Sequence, residues 1–425
     1  MKLNIKKLFT AVFSILLLCS VLLSISSCAI KANAKDLMAG IDGRDIDGKI
    51  ADDKFVKSAA DFSIDLFKKS LYQDKNSLIS PLSVLLALSM TANGTNGETR
   101  EEMEATLGRG INLDDLNEYL LAYVNSLDSK EKSKLEIANS IWIRENIAAS
   151  VIPAFLQKNA DYYGAAAFSS DFDDKTVKDI NSWVKENTDG MIDKVIEDIS
   201  ADTIMYLINT IVFDAEWKEK YNKNDISDKI FTNHDDSKST ASMMYSEESK
   251  FISDDSAKGF IKPYANGKYS FVALLPNEGV SVVDYVNSLD GDSFVSMIKN
   301  TEEKSLYTGL PKFTSKYEME MRPLLREMGI KKAFNDDFDS DFSNMINGVV
   351  PGDAYISMVL HKTFISVDEI GTKAGAVTVV EVTLESAPQY EEVIILDRPF
   401  VYAIIDNTTS LPIFIGTTLE IEASK

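Results

Sequence analysis

Apolar positions change period along this chain, and each change predicts an element. Phe55, Ala59, Phe62, Ile64 and Leu66-Phe67 fit one face of a helix that Gln73 to Asn76 ends. Ser80-Pro81 opens a second helix over an apolar run to Leu88, since serine accepts free N–H groups at a helix start and proline suits the first turn. Leu135 to Arg144 alternates around Ala138-Asn139 and reads as a sheet strand, while Ile180 to Val184 followed by Thr188-Asp189-Gly190 reads as a helix with a glycine stop. Ile204 to Phe213 is a continuous apolar run, the composition of a buried strand.

The stretch from Glu369 to Ser386 is the least ordinary. As a strand it would place Thr372, Ala374, Ala376, Thr378, Val380, Val382 and Leu384 on one face, small at first and then apolar. The other face would carry Lys373, Gly375, Val377, Val379, Glu381, Thr383 and Glu385, a mixed set suited to solvent or an overlying element. From Thr383 to Glu392, however, the chain turns polar and acidic around Ala387-Pro388, the composition of an exposed loop. A segment able to be either loop or central strand is a conformational switch; an edge strand followed by a loop fits the same composition.

At 425 residues with 45% hydrophobic content the chain can bury a large core, and no repeat divides it after residue 53. Lys and Arg number 44 against 66 Asp and Glu, which argues against a nucleic-acid partner. Lys2, Lys6 and Lys7 precede an almost wholly apolar run from Leu8 to Ile25, the pattern of a secretory signal over residues 1–27. Ile25-Ser26-Ser27-Cys28 resembles the lipobox of bacterial lipoproteins, which implies lipid on Cys28, a membrane partner and an extracellular location on the outer face of a bacterial membrane, or release from it. An uncleaved anchor is the other reading, because the run is almost long enough to span. Of two cysteines, Cys19 and Cys28, neither lies in the mature fold, so no disulfide is expected there. Residues 28–53, polar with Gly40, Gly43 and Gly48, read as a flexible tether with a span of roughly 25–30 Å. The folded unit is expected over 54–425.

Catalytic chemistry is hard to assemble from this sequence. His234 and His361 are the two histidines, one in a polar loop composition and one in an apolar strand, and no Gly-x-Ser-x-Gly elbow exists for a hydrolase triad. Two distant histidines do not make a zinc site. Asp336 to Asp341 has Phe342 where a calcium loop turns on glycine and Gly348 where it closes on glutamate. Gly108-Arg109-Gly110 meets Leu113 where a dinucleotide fingerprint needs glycine. No enzyme activity, metal or cofactor is expected.

Several motifs, in order, carry a resemblance. Asn76, Ser80-Pro81 and Ser83, then Asn209-Thr210-Ile211-Val212-Phe213 with Trp217, then Leu310-Pro311-Lys312-Phe313, His361 eight residues before Glu369, Gly371-Thr372, Ala374-Gly375-Ala376, Thr378, and Arg398-Pro399-Phe400 resemble the serpins over about residues 54–420. The resemblance implies an α+β serpin fold: three β-sheets, about eight or nine surrounding helices and an exposed reactive-centre loop. It makes Glu369 to Thr378 the hinge of that loop, Ser80, Ser83, Asn209 and His361 the shutter that holds the sheet together, and Trp217 the breach where the loop first enters. A neutral His361 bonded to Asn209 and an ion pair from Lys312 to Glu369 are implied with it. Ile370, in place of a usually charged hinge residue, and Ile421, where the family often ends on proline, depart from the pattern.

What the resemblance implies functionally is a monomeric suicide inhibitor of serine proteases, in which a cut loop inserts into the main sheet and carries the acyl-enzyme with it. Fifteen residues counted from Gly371 put the scissile bond between Glu385 and Ser386, suited to a glutamate-selective protease. A shift of one makes Leu384 the specificity residue, before Glu385, and the target subtilisin- or chymotrypsin-like. A non-inhibitory serpin acting as a surface binding protein, or an inhibitor of cysteine proteases, is the competing expectation.

Overall fold

The computed structural model describes residues 34–127, 132–199, 203–334, 337, 339–372 and 389–421. In chain order its strands are β1 (Lys35–Asp36), β2 (Ser77–Ile79), β3 (Ser133–Arg144), β4 (Ala166–Ser170), β5 (Met205–Glu216), β6 (Ile226–Thr232), β7 (Lys238–Ser253), β8 (Ala257–Pro263), β9 (Tyr269–Pro276), β10 (Glu302–Pro311), β11 (Phe313–Glu320), β12 (Leu360–Val367), β13 (Gly371–Thr372), β14 (Glu392–Ile395), β15 (Phe400–Asp406) and β16 (Pro412–Thr418). The helices are α1 (Asp53–Lys69), α2 (Pro81–Ala92), α3 (Gly97–Gly108), α4 (Leu113–Ser126), α5 (Glu145–Ala148), α6 (Pro153–Tyr163), α7 (Asp174–Glu186), α8 (Val282–Ser288), α9 (Gly291–Lys299) and α10 (Arg322–Met328). The architecture is α+β as expected.

Seven strands form one sheet in the order β1-β4-β3-β5-β13-β12-β11. The remaining strands form a second hydrogen-bonded network, β14-β10-β7-β8-β9-β15-β16-β2, with β6 added on β7. Three sheets were expected. Two networks result because the 16-residue β7 pairs β6 and β10 over most of its length and β8 over its last residues, which runs two sheets together. Ten helices among the described residues exceed the eight or nine expected, and the four-residue α5 is a single turn that no periodicity could announce.

Local rules explain the helix that matters most. The Ser80 side chain accepts from the Ser83 N–H at 3.3 Å and Pro81 fills the first turn, so α2 starts where the sequence places it. All twelve of its residues are buried, because it lies beneath the main sheet inside the core. On the opposite face of that sheet, α7 and the segment after it cover a second cluster of Trp142, Ile180, Val184, Ile192, Tyr206 and Ile208. Both faces of the lower part of β5, around Tyr206 and Ile208, are therefore covered.

Residues 34–52 are not the expected tether. Leu37 N–H donates to Ala167 O at 2.9 Å beside the β1–β4 pair, and Gln157 Nε2 donates to Asp42 O at 2.8 Å. Arg44 grips the buried Asp161 and, by that hydrogen bond, holds its carboxyl well below the usual carboxylate range. Lys49 N–H donates to Glu118 O at 3.1 Å. Two of the three glycines that suggested flexibility, Gly43 and Gly48, serve close approach instead. A Cβ on Gly43 would stand 2.8 Å from Ala160 O, and one on Gly48 would stand 2.6 Å from Glu118 O.

Candidate functional site

The centre of the main sheet is a seam between β5 and β12. Leu207 and Val359 bridge directly and in parallel at its lower end. Eight residues further along each strand, Ala215 and Val367 no longer face one another: Thr372 of β13 stands between them, antiparallel to both. Adjacent strands lie about 4.8 Å apart, so the seam opens from about 5 Å to about 10 Å over a run of about 26 Å. It is a wedge whose wide end holds Gly371 and Thr372 among the described residues.

The wide end is built around aromatic packing. Trp217, 1% exposed, stacks on Tyr264 with centroids 4.6 Å apart, and the Tyr264 hydroxyl pairs with Thr372 Oγ1. Trp217 N–H donates to Ile370 O at 2.8 Å, its Nε1–H to Asp368 O at 2.8 Å, and Tyr221 N–H to Glu369 O at 3.1 Å. Asp368 closes a tight turn by accepting from the backbone of Ile370 and Gly371. Lys312 pairs with Glu369; burial works to raise that carboxyl, but the ammonium's hydrogen bond and charge, with a backbone hydrogen bond, together hold the group below its ordinary range. Beneath Tyr221 the buried Lys262 bonds Glu248 of β7 and lies 4.4 Å from the Tyr221 ring centre.

The narrow end rests on α2. Ser83 Oγ–H donates to Asn209 Oδ1, and the Asn209 amide donates to Asn139 on β3. His361 on β12 accepts the Ser80 N–H at 3.1 Å through Nε2. The expected bond between His361 and Asn209 is absent among the described residues. The two stand at the same level on either side of the seam, and each bonds the start of α2 instead, Asn209 through Ser83 and His361 through Ser80.

Burial pushes the His361 imidazole down to about 3, so it is neutral when folded. An unfolded histidine titrates near 6.5. The stabilisation from keeping this ring neutral is whole above pH 6.5 and falls as pH drops, by up to about 1.4 kcal/mol per unit between pH 6 and 4. His361→Gln keeps an acceptor for Ser80 and removes that dependence. Urea midpoints across this range should diverge between the two proteins; parallel curves would exclude the assignment.

The structure thus brings Ser80, Ser83, Asn209 and His361 to one end of the seam and Trp217, Lys312, Glu369, Gly371 and Thr372 to the other. Ala374, Gly375, Ala376, Thr378, Leu384, Glu385, Ser386 and Cys28 lie outside the described residues. Sequence reasoning missed Tyr264, Tyr221, Asp368 and the Lys262–Glu248 pair. The run Gly259-Phe260-Ile261-Lys262-Pro263 in β8 was the available signal, since a lysine amid apolar strand residues needs a buried partner.

The serpin (serine protease inhibitor) family model matches residues 57–421. A serpin-like protein of Thermococcus kodakarensis is 30% identical over 372 residues, spanning 85% of this chain and 84% of that one. The thermophilic serpin tengpin in its native state is 48% identical and superposes with a TM-score of 0.86, covering 91% of this chain and 100% of that one. In its latent state the TM-score is 0.78, with 88% of this chain and 100% of that one covered.

Proposed function

This chain is a member of the serpin family, whose members in general inhibit proteases rather than catalyse, and from that premise we propose that it is a suicide inhibitor of a serine endopeptidase. The observation that supports this reading is the wedge. Thr372 sits between Ala215 and Val367, and continuing its antiparallel register brings residue 380 opposite Leu207 and Val359. Thr372 faces Tyr264 and the core, so Ala374, Ala376, Thr378 and Val380 would follow it onto that face, small residues first. Insertion has to outrun deacylation, and small leading residues enter fastest.

The serine of the protease attacks the carbonyl carbon of residue 385, or of residue 384 in the other frame. The C–N bond breaks, the new amine leaves with its proton, and the acyl-enzyme is carried along as the freed strand enters the seam. Glu385-Ser386 is the preferred bond and a glutamate-selective protease the preferred target; Leu384-Glu385 and a subtilisin- or chymotrypsin-like enzyme are the second frame. The apolar run from Leu8 to Ile25 before Ser26-Ser27-Cys28 supports export and a lipid anchor on Cys28, which would place a monomeric inhibitor at a cell surface.

Mixing the protein with proteases of glutamate, aromatic-leucine and cysteine-protease type and running a denaturing gel tests the reading. A heavier band that survives denaturation is expected with the glutamate-selective enzyme, with a released peptide beginning at Ser386. Clean cleavage by every protease, with no heavier band, would identify a non-inhibitory member.

A further inference from the structure

On the outward face of the main sheet, the segment after α7 crosses the seam. Its Ile192, Val195 and Ile196 join one apolar cluster with Tyr206 and Ile208 of β5 on one side and with Met358 and Leu360, at the start of β12, on the other. Asn181 of α7 fastens the segment by donating to Ile196 O at 2.9 Å and accepting the Val195 N–H at 2.7 Å. Lys362 Nζ of β12 donates to Lys194 O at 2.9 Å. The crossing segment is therefore tied on both sides of the seam.

Beside the crossing, a cavity of about 550 Å³ reaches to β11 at the sheet edge, a size that suits a small organic ligand. Its charge runs against that of the chain, whose formal net is -22. Lys75, Lys194, Lys316 and Lys362 line it with two carboxylates, and both carboxylates are engaged, Glu318 with Lys362 at 2.6 Å and Asp193 with Lys185 at 2.8 Å. Lys75 and Lys316 have no carboxylate partner among the described residues. Each lies near a ring instead: Lys75 Nζ is 3.9 Å from the centre of Tyr72 and Lys316 Nζ 6.0 Å from that of Phe364. Strand register produces this, since Lys316 stands opposite Phe364 and Glu318 opposite Lys362, while His361 and Thr363 between them turn inward to Ser80 and Leu78. Tyr72 packs on Tyr317 with centroids 5.0 Å apart and completes an aromatic wall.

We propose that this cavity binds a small aromatic anion, Lys75 and Lys316 supplying the charge and Tyr72 and Phe364 the rings, and that the bound anion slows loop insertion. An ammonium beside a ring keeps its other side open to an acid group, and the ligand's own ring gains the aromatic wall. An inorganic anion gains the first contact alone, and a neutral ring the second alone. The slowing rests on the insertion reading above. A strand entering between β5 and β12 parts them from about 4.8 Å to about 9.6 Å, so the crossing segment must release one side. Lys362 to Lys194 O is one hydrogen bond. A ligand resting on Met191 and Lys194 of the segment and on Lys362 and Phe364 of β12 adds a second hold on that side.

Calorimetric titration of the intact protein with naphthalene-2-sulfonate tests the site, with sodium sulfate and 2-naphthol as the anion and the ring alone. The proteins are wild type, Lys75→Ala, Lys316→Ala and Lys238→Ala, the last an exposed lysine of β7 outside the cavity. Wild type and Lys238→Ala should bind the sulfonate saturably with a dissociation constant below about 100 μM, sulfate and naphthol should bind at least about tenfold more weakly, and each cavity variant should lose about fivefold or more. Sulfate as tight as the sulfonate, cavity variants equal to wild type, or no saturable binding would each overturn the site. With a trapped protease, saturating sulfonate should raise the number of inhibitor molecules consumed per trapped protease about twofold or more in wild type and leave Lys316→Ala unchanged, because slower insertion loses more acyl-enzyme to deacylation. Binding with no change in that number overturns the slowing alone. A protein that traps no protease without ligand sinks the insertion reading and the slowing with it, and the calorimetry still decides the site.

Discussion

Cutting the chain at residue 385 should raise its melting temperature by roughly 10–20 °C. A free strand running down the seam would bury side chains such as Val380, Val382 and Leu384 at about 1.5–3 kcal/mol each and add ladder hydrogen bonds at about 0.5–1.5 kcal/mol each. Over about a dozen residues the gain exceeds about 10 kcal/mol, and for a fold of this size each kcal/mol moves the midpoint by somewhat over about 1 °C. The sign is unusual, since nicking a loop ordinarily leaves stability unchanged or lowers it. It follows from the wedge: the intact sheet leaves β5 and β12 apart above the Leu207–Val359 bridge, with two residues of β13 between them at the top. Calorimetry of the intact and nicked proteins at one concentration is the measurement. Identical midpoints would mean that the intact fold is already at its minimum.

The sequence announces those parts of this arrangement that obey local rules. Ser80-Pro81 marks the start of α2 because capping needs only a hydroxyl and a fixed φ, and the apolar run from Ile204 marks β5 because both faces of that strand are covered. The run ends at Phe213, yet the strand continues to Glu216, where it is paired with β3 on one side and β13 on the other. What the sequence hides are choices made across distance. His361 and Asn209 are recognisable as a pair of residues, but their partners depend on the width of the seam between them. Gly43 and Gly48 look like a hinge in one dimension and prove to be contact points once α4 and α6 lie alongside. Tyr245, Tyr307 and Tyr390 are separated by more than 60 residues at each step, and only the folding of β7, β10 and β14 into one edge makes them a column.

Replacing Gly371 by alanine should convert the protein from inhibitor towards substrate and destabilise it by about 3 kcal/mol. A Cβ there would stand 2.0 Å from Ala215 O and 2.8 Å from the Glu216 Cα, contacts with backbone that no rotamer can relieve. The intact chain can respond by withdrawing β13, at the cost of the Trp217–Ile370 and Tyr221–Glu369 hydrogen bonds, the Lys312–Glu369 pair and the Thr372–Tyr264 contact. The nicked chain has no such escape, because its new strand must pass the same point between β5 and β12. The melting-temperature gain on cleavage should therefore shrink in Gly371→Ala, and the number of inhibitor molecules consumed per trapped protease should rise severalfold. Lys312→Ala loosens the same end without the clash and should lower the intact protein's stability while preserving most of that gain. If Gly371→Ala matched wild type in urea midpoint, in gain on cleavage and in complex yield, the strands flanking residue 371 would have to be further apart than the seam allows. Entry at the wide end would then not be the step on which inhibition depends.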